Sequence, residues 1–368
     1  MTNRNPSIAS AIRRTRVAVV GHLCLDIFVP ETALSGALTA LTEEILPIDS
    51  GLDVQAGGAV ANVGLTLAAL GVETILVGLV GRDPLGELLA SMLARKASRY
   101  VTVNVRALDG HATSTTLLLK DAATGCRFNI HCPGVNNAFS FEHVDQVDLS
   151  GVNWLHFGYP ALMRSIMDDG MRGLRCIFQK ARSQGALTSL DLSRMPVGFS
   201  SEGFYKQLRL QLPFVDLFAP SIGDLLDIHG VFSSDVHRTR YPSDNDIRWV
   251  ADQFLSGGAA LVCIKLGARG IYIAGSSDKA RMQTMALRLG YDATPWLGLE
   301  HWQRSPPANS VEPTGAGDAL IAGLICAIMR GASPGNAAEF AQHIATKSLA
   351  ANGGHASVER YHDDLFHL

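Results

Sequence analysis

The chain has 368 residues, 47% of them hydrophobic and 18% charged, with a formal net charge of −3. These values suit one large α/β core or two moderate domains, and they exclude the broad basic field that nucleic-acid binding needs. The six cysteines show no C-x-x-C pair, and no apolar stretch approaches the length of a membrane span. A cytoplasmic protein with reduced thiols, acting on a small molecule and not at a membrane, is expected.

Residues 1–15 carry charges but no signal-peptide core, and are expected as a disordered tail. Val17 to Val20, "VAVV", is a β-branched run stopped by Gly21 and reads as the first buried strand of a parallel sheet. Similar runs follow at 74–81, 152–158, 187–192, 215–220 and 260–267, with helical segments between them. That alternation predicts an α/β fold of three layers, a parallel sheet with helices on both faces. Residues 27–55 and 101–132 break the rhythm. The second segment alternates side chains around Asp109-Gly110 and Thr124-Gly125, which predicts antiparallel hairpins and a small β-sheet lid. Residues 276–310 read as a loop with edge strands.

Three constellations can carry chemistry. In "VEPTGAGD" at 311–318, Gly315 and Gly317 allow the backbone to bend close to a ligand. The apolar helix that follows would point free N–H groups into that turn. Asp318, in its first turn, would be favoured as an anion and could take a proton from an attacking hydroxyl. Taken alone, the turn reads equally as a helix cap or as an anion site. In "AGGAVANVGLTLAALG" at 56–71, Gly57 and Gly58 precede Asn62 at a second helix start, which could hold hydroxyl groups or simply pack against a strand. Asp26 follows the first strand, where α/β folds place ligand groups, although an isolated Asp there is more often only solvated. A Walker A loop, a dinucleotide fingerprint and an H-E-x-x-H site are all absent.

Together these segments resemble the two signatures of the ribokinase-like, or PfkB, carbohydrate kinases. "GGAVANVGLTLAALG" with "VGLVGRDPLGELL" is similar to the first, and "EPTGAGDALIAGL" to the second. "HCPGVNNAFS", "LHFGYP", "IKLGARGIYI" and "NGGHASVER" are similar to the family's intermediate landmarks. The resemblance implies one kinase domain over residues 16–368 that transfers phosphate from ATP, with Mg2+, to a hydroxyl of a sugar, a sugar derivative or a nucleoside. It implies Asp318 as catalytic base, and Gly315, Ala316 and Gly317 as the anion hole. It places Asp26, Gly57, Gly58 and Asn62 on the acceptor. Lys265, Gly267, Gly270, Thr314 and Gln342 fall beside the nucleotide. Glu312, Thr314, Gly353 and Ser357 fall where many members bind a monovalent cation such as K+. A homodimer formed through the lid is also implied.

Some positions depart from the pattern. Where members carry N-x-x-E near the magnesium ion, this chain has Ser221 and Asp224, so Asp224 would reach the metal through water or would only cap the next helix. Glu312 stands in place of the commoner Asp. Ala59 stands where ribose-specific members carry Lys. A non-catalytic relative that binds ligand without turnover would keep the same fold. His131 and His156 could touch a substrate or be satisfied structural histidines.

Overall fold

The computed structural model describes residues 15–29, 51–120, 127–196, 201, 203–306 and 314–350. The expected N-terminal tail, residues 30–50 of the first lid segment, the Thr124-Gly125 turn, Glu312, Gly353 and Ser357 lie outside them. Thirteen strands are described, in chain order β1 Arg16–Gly21, β2 Cys24–Phe28, β3 Asp53–Gly57, β4 Glu73–Gly81, β5 Val101–Leu108, β6 Thr115–Lys120 and β7 Arg127–Cys132, then β8 Trp154–Gly158, β9 Leu187–Asp191, β10 Leu217–Phe218, β11 Leu261–Lys265, β12 Ile271–Gly275 and β13 Glu300–Gln303.

Nine of them form one sheet in the order β13-β12-β11-β10-β9-β8-β1-β4-β5. Every pairing from β5 across to β11 is parallel, whereas β12 and β13 close one edge antiparallel. Side chains alternate between the faces of a strand, and here both faces are dry. Ala18, Val20, Val262 and Ile264 join the helices Arg172–Ser183 and Asp244–Ser256 in one core. Val17, Val19, Leu261 and Cys263 join the helices Lys279–Leu289, Ala316–Met329 and Pro334–Ala350 in the other. This is the expected three-layer α/β arrangement. Among the described residues no helix is long and apolar enough to cross a membrane.

A second sheet, in the order β3-β2-β6-β7, supplies the small lid. It corrects the reading of 101–132 as hairpins throughout. Val101–Leu108 lies in the main sheet, parallel to β4, and only the part from Thr115 onward belongs to the lid. An edge strand of a parallel sheet is covered on one face and half-open on the other, so its side chains alternate just as those of a hairpin do. The crossing between the sheets is fixed by Asp83. Its Oδ1 accepts from the Gly86 amide (2.7 Å) and the Thr113 hydroxyl (2.6 Å), and its Oδ2 accepts from the Thr113 amide (2.8 Å). Asn136, in the "PGVNNA" stretch, donates to the Leu23 carbonyl at 2.9 Å and anchors the link from β1 to β2. The segment 276–310 contains the helix Lys279–Leu289 besides the expected edge strand.

At the amino ends of the central strands, Asp216 is wholly buried and accepts from Arg182 and Arg281, each at 2.7 Å, and from the Thr188 amide at 2.8 Å. Arg281 also donates to the carbonyls of Gly258 (3.0 Å) and Val215 (2.8 Å), so one carboxylate ties the helices of both layers to β9, β10 and β11. Removing the anion would leave buried guanidinium groups uncompensated. Asp216→Ala is therefore expected to lose about 3 kcal/mol of stability, read as a lower urea midpoint at unchanged slope.

Candidate active site

The candidate site lies at the carboxyl ends of the parallel strands, where open α/β sheets present ligand-binding groups. His22 follows β1, Tyr159 follows β8, Asp191 ends β9, Ser221 and Asp224 follow β10, and Lys265 ends β11. Two helix starts complete it. Gly58 begins the helix Gly58–Ala69, and Gly315 caps the helix Ala316–Met329 in a left-handed conformation, φ 82°, that favours glycine. The latter helix is buried almost throughout, and Gly323 lets it approach Ala341 of the final helix. Its first-turn amides have no acceptor within the helix and face the site.

Asp318, only 2% exposed, sits in that first turn. Its Oδ2 accepts from the Asn62 amide at 3.0 Å, and the Tyr159 hydroxyl lies 2.8 and 2.7 Å from its two oxygens. Burial raises its carboxyl above the ordinary range, while Lys265 and the bonds from Tyr159 and Asn62 pull it back. The Lys265 ammonium rests on both oxygens of Asp191, at 2.8 and 2.7 Å. Burial disfavours the ammonium, but Asp191, Asp224 and Asp318 together raise its pKa, while burial pushes Asp191 up to about 8 against the pull of Lys265. A Cβ built on Gly317 would stand 3.4 Å from Nζ, so this charge lies directly beneath the glycine turn.

This placement sharpens the expectation for Lys265. Its side chain points inward beneath the glycine turn and onto Asp191. Asp224 does cap its helix, exchanging bonds with Ser221 at 2.8 and 3.1 Å, and it also faces the lysine. Three buried carboxylates face one ammonium, an oxygen donor set of the kind that suits a hard divalent cation. Among the described residues no group of three His, Cys, Asp or Glu side chains forms a protein-only metal site. Gly267 and Gly270 have φ of 60° and 93°, and a Cβ on Gly270 would fall 2.0 Å from the Gln303 carbonyl. The Gln342 amide donates to Ser305 at 3.1 Å, and its buried Oε1 has no partner among the described residues. Of the residues expected at a monovalent cation, Thr314 alone is described.

On the lid side, Asp26 packs so closely on Gly57 that a Cβ there would fall 2.0 Å from Oδ2. The Cys24 thiol donates to Asp26 at 3.1 Å. Thr116 meets His131 Nδ1 at 3.1 Å, and His131 Nε2 lies 3.4 Å from His22 Nε2. Burial, then His131, pushes His22 well below the usual imidazole range, and burial lowers His131, so both imidazoles favour the neutral form. His156 is a core residue, bonded to Ser189 at 2.8 Å and lowered to about 3 by burial and Lys265. Ala59 packs on Gly158, where a Cβ would come within 2.1 Å of its own.

Thus Asp26, Gly57, Gly58, Asn62 and Asp318, dispersed in sequence, share one site, with Lys265 and Asp224 on its floor. Sequence reasoning missed His22, Tyr159 and Asp191. Each stands at or just past the carboxyl end of a readable strand, and that position was the available signal.

The family model for pfkB family carbohydrate kinases matches residues 14–360. A fructokinase from Klebsiella pneumoniae is 24% identical over 342 residues, covering 88% of this chain and 94% of that one. The structure of Arabidopsis thaliana ribokinase complexed with ribose and ATP aligns with a TM-score of 0.67 at 20% identity, over 93% of this chain and 95% of that one. A fructokinase with bound ATP from Xylella fastidiosa aligns with a TM-score of 0.67 at 17% identity, over 94% and 95%. These likenesses show the fold.

Burial pushes Asp26 up from 3.8 to about 6, against the bonds from Cys24 and Thr116. Between those values the folded chain keeps a proton that the unfolded chain has released, so stability falls as pH rises through this window. Asp26→Asn carries no such penalty. Its gain in urea midpoint over the wild type should be absent below the window, grow across it and stay level above it. A gain independent of pH would count against a buried Asp26 charge.

Proposed function

Because the chain belongs to the pfkB family of carbohydrate kinases, we propose that it transfers the γ-phosphoryl group of ATP to a hydroxyl of an uncharged sugar or sugar derivative. The observation that carries this reading is the Asp318 carboxylate, fixed in the first turn of the Ala316–Met329 helix and backed by Lys265. Phosphoryl transfer asks for in-line placement and charge neutralisation more than for covalent help.

In this mechanism Asp26 and Asn62 align the acceptor's hydroxyls, and Asp318 accepts the proton of the one that attacks. The first-turn amides of Ala316, Gly317 and Asp318 receive the transferring group's oxygens, and the Lys265 ammonium lies behind them to offset the added charge. Asp191 keeps that ammonium in place. Bound Mg2+ would neutralise the nucleotide phosphates, with Asp224 the residue placed to meet its water shell. The buried Gln342 Oε1, without a partner among the described residues, suits an amino donor on adenine.

The acceptor wall supports an uncharged substrate. Its ionisable groups are buried carboxylates and histidines whose pKa values are lowered. Residues 30–50 add no Lys, Arg or His to the lid sequence. An anionic acceptor would find no cation in these groups. The lid also supports a dimer: β7 is its edge strand and exposes Phe128 and Ile130. We place the reaction in the cytoplasm, in keeping with the free cysteines of the described residues.

Asp318→Asn should lower kcat at least about 100-fold on the best acceptor from a panel of sugars and nucleosides, with nucleotide affinity broadly kept. Full activity in that variant would sink the assignment. Light scattering at micromolar concentration should give twice the chain mass, and a single-chain mass would remove the dimer.

A further inference from the structure

Tyr159 is the one described residue outside glycine that combines a left-handed backbone with a contact to the site's central carboxylate. Its φ of 66° and ψ of 48° lie where L side chains rarely settle, and such strain persists only where the surroundings enforce it. The residue follows β8 directly, with Pro160 next and its amide bonded to the Asp191 carbonyl at 3.3 Å. The bend sends the ring across the site, 5.8 Å from the His22 ring, and sets the hydroxyl on both oxygens of Asp318 at 2.8 and 2.7 Å. Asn62 binds Oδ2 from another side.

An acceptor hydroxyl that is to give its proton to Asp318 must come within the same hydrogen-bond distance of the same oxygens. The phenol and the acceptor therefore compete for one position. A phenol is well suited to hold it without reacting. Burial, with Asp318 beside it, raises the Tyr159 hydroxyl well above the usual phenol range, so it keeps its proton and is a poor nucleophile.

Building on the reading of Asp318 as base, we propose that the Tyr159 hydroxyl is a positioning group that occupies the acceptor-hydroxyl position until an acceptor displaces it, thereby denying that position to water. The reaction it suppresses is hydrolysis. In that reaction a water oxygen bonds to the γ-phosphorus of ATP, and the bond to the β,γ-bridging oxygen breaks. The electron pair leaves with ADP, the water proton passes to Asp318, and inorganic phosphate is released. Tyr159 thus favours transfer to the acceptor over loss of ATP.

The test needs only the full chain, Mg-ATP and no acceptor. Phosphate release is compared for the wild type, Tyr159→Phe, Asp318→Asn and the double variant. Tyr159→Phe keeps the ring and is expected to raise release about 10-fold, and adding Asp318→Asn should abolish the gain. The loss of a bond that favours the ionised carboxylate should also move the acid limb of the rate–pH profile to higher pH, which a merely structural role for Tyr159 would not do. Tyr159→Gly, suited to the left-handed backbone, gives the same readout should the Phe variant fold poorly. Unchanged release in both variants, a gain that survives Asp318→Asn, or a phosphorylated Tyr159 in the wild type would each overturn the proposal. Failure of the kinase reading would show differently, as no acceptor phosphorylated in an Asp318-dependent way by the wild type.

Discussion

The site depends on one electrostatic constraint, the retention of three aspartates and one lysine where little water reaches them. Asp191, Asp224 and Asp318 are each nearly inaccessible, and burial works against the charge of every one. Lys265 offsets part of that cost by lying on Asp191 and near the other two. The remaining demand is met by local donors. Ser221 serves Asp224, while Asn62 and Tyr159 serve Asp318. These donors favour the ionised form of Asp318, and Asp191 holds the ammonium on itself.

Close approach is the second requirement, and glycine meets it where a side chain would obstruct. Gly57 admits the Asp26 carboxyl, and Gly317 leaves room above the lysine. These glycines therefore act as spaces into which a carboxylate and an ammonium can come close. Their chemical effect comes from the neighbours that they let in.

Much of this was legible in the sequence because the signals were local. The runs from "VAVV" to "ALVCIKLG" each became a strand of the main sheet, and the T-G-A-G-D turn opens a buried helix. Asp26, Asn62 and Asp318 could be nominated from their positions beside glycines and strand ends. What was not legible depended on the third dimension. The alternation of Val101–Leu108 is the same for a lid hairpin and for the edge of a parallel sheet, and only pairing with β4 distinguishes them. The inward direction of Lys265 is set by Asp191, 74 positions away. No periodicity could reveal that Tyr159 bends back onto Asp318, since that follows from a backbone conformation unusual for its type.

The contact between Ala59 and Gly158 also constrains how this protein can change over generations. Any side chain at 158 would collide with the methyl group at 59, so replacement of Gly158 becomes acceptable only after position 59 has lost its methyl or the helix has moved. Because position 59 follows Gly57 and Gly58 and position 158 precedes Tyr159, two sides of the candidate site are bound into one order of mutational steps. A lineage acquiring a new acceptor would have to remodel both sides in sequence, and the smallest residues in the site would set which route is open.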